Sequence, residues 1–254
     1  MGIDIKVPDS VDHAVGNLSG PLTTAMGNTF GDLWFLALGG ISHRADIRRV
    51  KYAHELNVLK ENTEKKINDI PPEKRVEPNT QIIMGALTDA QYCVESEELR
   101  RMFENLIAST VNSDTASKVH PSFSSIIRRM SPRDAANIAL FKSEDAYPIA
   151  NFFLKVKPSG QQKALTNVFL SGIACNDIVA QGASIECLSV LGLLEISYIE
   201  EMNDAHQYDQ FKNLQEYKYL EKTVGIVPNA YAVELEKGVV RRTNFGELFL
   251  SVCL

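Results

Sequence analysis

Most of the signatures that announce chemistry are missing from this chain. It has no G-x-x-x-x-G-K-[ST] and no G-x-G-x-x-G, so no loop of backbone amides is laid out to cradle phosphates. G-x-S-x-G is absent too, which removes the exposed serine of an α/β-hydrolase elbow. The five histidines, His13, His43, His54, His120 and His206, lack metal spacing such as H-E-x-x-H. Cys93, Cys175, Cys187 and Cys253 form no Cys-x-x-Cys pair, and no charged segment followed by an apolar one opens the chain. A reduced, cytoplasmic protein with buried thiols is therefore expected, with no catalytic residue, metal ligand or cofactor assigned. Low-complexity tracts are absent, which argues against wholesale disorder, and no internal repeats are apparent.

What is present is ordinary in bulk and uneven in detail. With 254 residues, 44% apolar and 23% charged, the chain can bury the cores of two domains. Its 26 basic and 32 acidic residues give a net charge of -6, the wrong sign for general attraction to nucleic acid. Only residues 42 to 75, with nine basic and six acidic side chains, are basic.

Val15 to Ile41 carries one charge, Asp32, and six glycines. Gly16 and Gly20, and Gly27 and Gly31, each make G-x-x-x-G, a spacing that lets helix backbones approach closely. Residues 33 to 41, LWFLALGGI, include Trp34 and Phe35 but are too short to cross a bilayer. A packed helical hairpin and a membrane-inserting segment both fit. A long basic helix follows from Ser42 to the prolines at 71 and 72, and its Arg44, Arg48, Arg49 and Lys51 suit either a solvated face or a membrane surface. Helices are expected over 79 to 93 and from a cap at Ser96, where Leu99, Met102, Phe103, Leu106 and Ile107 form an apolar stripe. His120, amid Ser122, Ser124 and Ser125, could serve as a base, but a His-Pro before a helix more often fixes a turn.

Ser131-Pro132 reads as a cap with proline at the first helical position, and the domain boundary is placed there. Residues 132 to 142, 145 to 155 and 161 to 174 are expected as helices, with Lys157 to Gly160 a turn. Residues 184 to 191 form a helix ended by Gly192; Leu194, Ile196 and Tyr198 alternate as a strand; Val233 to Arg242 is its partner; Thr243 caps a last helix. An insertion with a helix over 204 to 222, bearing Phe211, Leu214 and Leu220, separates the two strands. The expected fold is mainly α: a helical domain over 1 to 130, then a winged-helix domain over 131 to 254 with a small β wing.

The segment VHPSFSSIIRRMSPRD, residues 119 to 134, resembles the abortive infection alpha family of bacterial proteins. ELRRMFENLIAST upstream, and LSVLGLLEIS and VVRRTNFGELFLSVC downstream, extend the resemblance from about Gly20 to Leu254. Its most specific part is His120 to Phe123 leading into Met130-Ser131-Pro132; one departure is Val-Val-Arg-Arg-Thr at the wing, where the family tends to an aliphatic residue before the Thr. The resemblance implies defence against bacteriophage, with growth arrest or death of the infected cell, and brings no catalytic residues with it.

Three readings result. In the first, a non-enzymatic antiphage protein contacts a phage or host protein, a second copy of itself or a membrane surface. Gly16, Gly20, Gly27 and Gly31 are then the helix contact face, with Trp34 and Phe35 at the interface and membrane association following activation. In the second, the winged helix binds DNA through Lys237, Arg241 and Arg242 on phosphates. Nucleic acid ranks lower, because Gln181 to Leu191 has no Lys or Arg and Glu186 would be repelled. In the third, a helical module titrates a phage or host protein.

Overall fold

The computed structural model describes residues 22–38, 47–172 and 177–254, with side-chain surroundings from 30–38, 51–172 and 177–254. Gly16, Gly20, Ser42, Arg44 and Cys175 lie outside the described residues. The chain divides between Arg128 and Arg129 into two compact units.

The first unit is helical. α1 (Leu22–Leu38) buries Phe30, Leu33 and Leu38 and packs on α3 (Thr80–Ala90). α2 (Ile47–Asn68) packs on α4 (Glu97–Thr110), which also holds α3. Each start has a local cause. Asn79 accepts the amides of Gln81 and Ile82, and the Ser96 hydroxyl accepts that of Leu99, so amides with no partner inside the helix are satisfied. Beyond α2, Arg75 donates to the carbonyls of Asn68 and Ile70 (2.9 Å each), closing the C-terminal end. α5 (Phe123–Arg129) buries Phe123, Ser124, Ile126 and Ile127.

The second unit overturns the mainly α expectation. α6 (Pro132–Leu140) begins with a reciprocal Ser131–Asp134 capping box. Next come β1 (Ala146–Val156) and β2 (Gly160–Val168), where helices were expected, joined through the cis Lys157–Pro158 turn. α7 (Ile178–Val190), β3 (Leu194–Ser197), the insertion, β4 (Ala230–Arg242) and α10 (Asn244–Cys253) complete the unit. The strands form one antiparallel sheet in the order β2-β1-β4-β3. The expected wing is thus half of a four-stranded sheet, an α/β arrangement rather than a small β appendage.

The missed strands have physical explanations. β1 lies between two strands and its residues 148 to 154 are all buried, so it shows no polar alternation and cannot be told from a buried helix by period. Pro148 was no obstacle, because β2 pairs with β1 only from Ala150 onward. In β2 the register shifts opposite Ala150, Phe152 and Phe153, and Asn167 sits at φ +52°, so its alternation is broken as well.

The insertion carries a 3-10 turn over Ala205–Tyr208, then α8 (Asp209–Lys212) and α9 (Gln215–Thr223) instead of one helix. It covers one face of the sheet: Tyr208, Phe211 and Tyr217 join Ala150, Phe152, Val168 and Ile178 in a buried cluster, with Leu214 and Leu220 packed against it. Other expectations in this region were met. Gly192 ends α7 at φ +77°, and Thr243 caps α10 by accepting the Gly246 amide at 2.8 Å.

Candidate functional site

The surface proposed to read DNA comprises α7 and β4, and Gln181 and Ser184 of the first and the cations of the second are already engaged. On α7, Gln181 and Ser184 are buried and face α6. Gln181 Nε2 donates to Asn137 Oδ1 (2.7 Å), Asn137 Nδ2 to Ser184 Oγ (2.9 Å), and Ser184 Oγ to Asp134 Oδ1 (2.5 Å). Asp134 Oδ2 takes the Ser131 amide at 2.7 Å, so both carboxylate oxygens are satisfied. Cys187 borders this cluster; burial, then the Asp134 charge, pushes its thiol pKa up, which keeps it protonated and unreactive at neutral pH.

What α7 exposes is a stripe at i, i+4, i+7 and i+11: Val179, Ala183, Glu186 and Val190. Val179 is 66% and Val190 73% exposed. The stripe is apolar with one acid.

The three basic candidates on β4 lie with carboxylates. Lys237 Nζ is 3.1 Å from Glu201 and 5.2 Å above the Tyr208 ring. Arg241 pairs with Glu200, and Arg242 lies 2.7 Å from Asp145. Glu200 and Glu201 stand at the start of the insertion, so the same segment that covers the sheet also neutralises Lys237 and Arg241. Exposed pairs of this kind contribute little stability, but they remove the excess positive charge that a phosphate backbone selects.

A second polar knot lies within the sheet. Asn151, buried opposite Glu236, donates to that carboxylate at 2.7 Å and accepts the Asn167 amide at 2.9 Å. Asn167 Oδ1 accepts the Tyr198 hydroxyl at 2.8 Å. Burial, and then the Glu236 charge, raises the Tyr198 pKa, so this phenol stays a donor.

In the first unit, α4 carries an ionic cluster. Glu104 is 2% exposed; Asn62 Nδ2 donates to its Oε1 at 2.9 Å and Lys66 Nζ lies 3.3 Å from its Oε2. Arg100 pairs with Glu55 and donates to the Val94 carbonyl, yet its Nε, 3.9 Å from Glu104, is buried without a hydrogen-bond partner. The sequence reading overlooked this cluster, although an Arg100-to-Glu104 spacing of four inside an apolar stripe was its available signal.

The remaining candidates are scattered. Gly27 and Gly31 lie on α1, and among the described residues a Cβ added at Gly31 would meet nothing within 4 Å, so no described helix backbone is drawn close there. Trp34 is half-buried and stacks obliquely on Phe30 (6.0 Å), whereas Phe35 is 70% exposed. His120 Nδ1 accepts the Ser122 amide at 3.2 Å and lies 2.7 Å from the Ser122 hydroxyl, the geometry of a turn cap before α5. Among the described residues no three His, Cys, Asp or Glu side chains gather as metal ligands, and no helix is long and apolar enough to cross a membrane.

Comparison with known proteins adds one strong match. The family model described as abortive infection alpha matches residues 51–253. No curated protein matches the chain. An uncharacterized protein from the hydrocarbon-degrading marine bacterium Alcanivorax borkumensis SK2 is 12% identical in its solved structure. The alignment covers 55% of this chain and 94% of that one at a TM-score of 0.35, too slight a likeness to carry fold or function across.

Proposed function

The chain belongs to the abortive infection alpha family, and from that premise we propose that it is a non-enzymatic antiphage protein that acts by binding a phage or host protein. The observation that carries this reading is the outward face of α7. A duplex reader needs donors and positive charge on that helix, and here the stripe is Val179, Ala183, Glu186 and Val190. Apolar side chains flanking one charge suit a protein surface, where burying the two valines on contact is favourable.

DNA binding through Lys237, Arg241 and Arg242 fits less well, because each has a carboxylate within ion-pair distance. A membrane role rests on exposed Phe35 and Leu36 of α1, two side chains that a protein partner would cover equally well.

Plating efficiency of phage on cells expressing wild type or the Val179→Asp/Val190→Asp double variant tests the proposal. Loss of protection by at least about tenfold at unchanged protein level is expected, since two buried valine contacts amount to well over 1.4 kcal/mol. Full protection by the double variant overturns the reading. Retained loss together with a mobility shift of duplex DNA by the wild type at low salt would favour the DNA reading instead.

A further inference from the structure

We propose that α2 is a releasable helix, kept in register on α4 by an ionic latch made of Glu55, Asn62, Lys66, Arg100 and Glu104, and that it opens before α3 and α4. This inference stands on the helical unit alone and does not depend on the partner-contact reading.

The two sides of the α2–α4 contact are unequal. α4 buries Leu99, Met102, Phe103, Leu106 and Ile107. α2 offers Leu56, Leu59 and Ile67, and at the fully buried Thr63 the hydroxyl turns back to its own helix, donating to the Leu59 carbonyl at 2.7 Å. The polar contacts from α2 to α4 run from Glu55 to Arg100, from Asn62 and Lys66 to Glu104, and from Lys66 to Asn105 at 2.6 Å. Burying such groups costs desolvation that largely offsets their attraction, so the latch fixes register and adds little net hold.

The latch is also incomplete. Arg100 Nε is buried without a partner, and the nearest Glu104 oxygen, at 3.9 Å, is beyond hydrogen-bond reach. When α2 tilts away, water reaches that N–H, Glu104 and the Lys66 ammonium together, so hydration of the latch repays part of the opening. Opening of α3 has less compensation, because Ile83, Ala86 and Leu87 would meet water and none of the latch groups lies on that helix.

Native-state hydrogen exchange on the full chain, resolved by peptide, tests this. In the wild type, amides of residues 56 to 67 are expected to exchange at least about tenfold faster than those of 102 to 107. Glu104→Gln removes the charge that holds Lys66 and Arg100, and should speed α2 about tenfold further while leaving α3 nearly unchanged. Arg100→Met with Glu104→Met takes both charges from α4 and leaves Glu55 and Lys66 without their partners, so it should also speed α2 while leaving α3 nearly unchanged. Equal exchange of α2 and α4 in the wild type overturns the proposal, as does an equal acceleration of α2 and α3 in Glu104→Gln. Because wild type and the single variant already decide, failure of the double variant to fold does not rescue the idea.

Discussion

Each unit of this protein buries a polar cluster on a helix pair, and the two are built on opposite principles. In the second unit Asp134, Asn137, Gln181 and Ser184 hand donors to acceptors in an unbroken chain, anchored by a capping box. In the first, Arg100, Glu104 and Lys66 bring full charges together and leave one guanidinium N–H unmatched. A satisfied network rigidifies its surroundings, whereas buried charges are costly to separate from one partner yet weak as net glue. The difference teaches where each unit is meant to hold and where it can give.

The largest effect separating them is expected from Glu104→Ala. It strands Lys66 and Arg100 near a buried site and should cost about 3–5 kcal/mol. Trp34, the only tryptophan, sits on α1 and reports the first unit by fluorescence during urea unfolding. Next, Ser184→Ala takes a donor from Asp134 and an acceptor from Asn137, a loss of about 1–3 kcal/mol visible as a lower thermal midpoint by circular dichroism. If Ser184→Ala proves as costly as Glu104→Ala, the contrast between the clusters dissolves.

The smallest effect concerns pH. Glu98, in the first turn of α4, accepts a backbone amide and the Ser96 hydroxyl, and its pKa is lowered. Its contribution is therefore complete above the ordinary glutamate range and fades as pH falls through the lowered value. Acid unfolding of Glu98→Gln should lack that component, and an unchanged acid profile counts against it. The group is well exposed, so the effect is slight.

Legibility in the sequence followed burial geometry. The caps at Asn79, Ser96, Ser131 and Thr243 lie where short polar side chains precede apolar stripes, and α7, β3, β4 and α10 each show the period of their element. β1 was illegible because burial on both faces erases alternation, and without β1 and β2 the β3–β4 pair looked like an isolated wing. Pairing partners distant in sequence were hidden for a similar reason. Nothing local ties Glu200 to Arg241 or Asp134 to Ser184, so the neutralised cations and the buried hydroxyl emerge only once the sheet and helices meet. Gln181 and Ser184 stand on the helix that would enter a groove, and a helix pattern alone cannot say that they point inward.

Gly182 has a wider consequence. A Cβ there would lie 2.8 Å from the Asn167 carbonyl oxygen and 2.9 Å from that of Thr166, so α7 rests its bare backbone on the last residues of an outermost strand. Those carbonyls are thereby shielded from any additional strand seeking to pair with them. Any side chain larger than hydrogen at Gly182 would press on both carbonyls and lift α7 off the end of that strand.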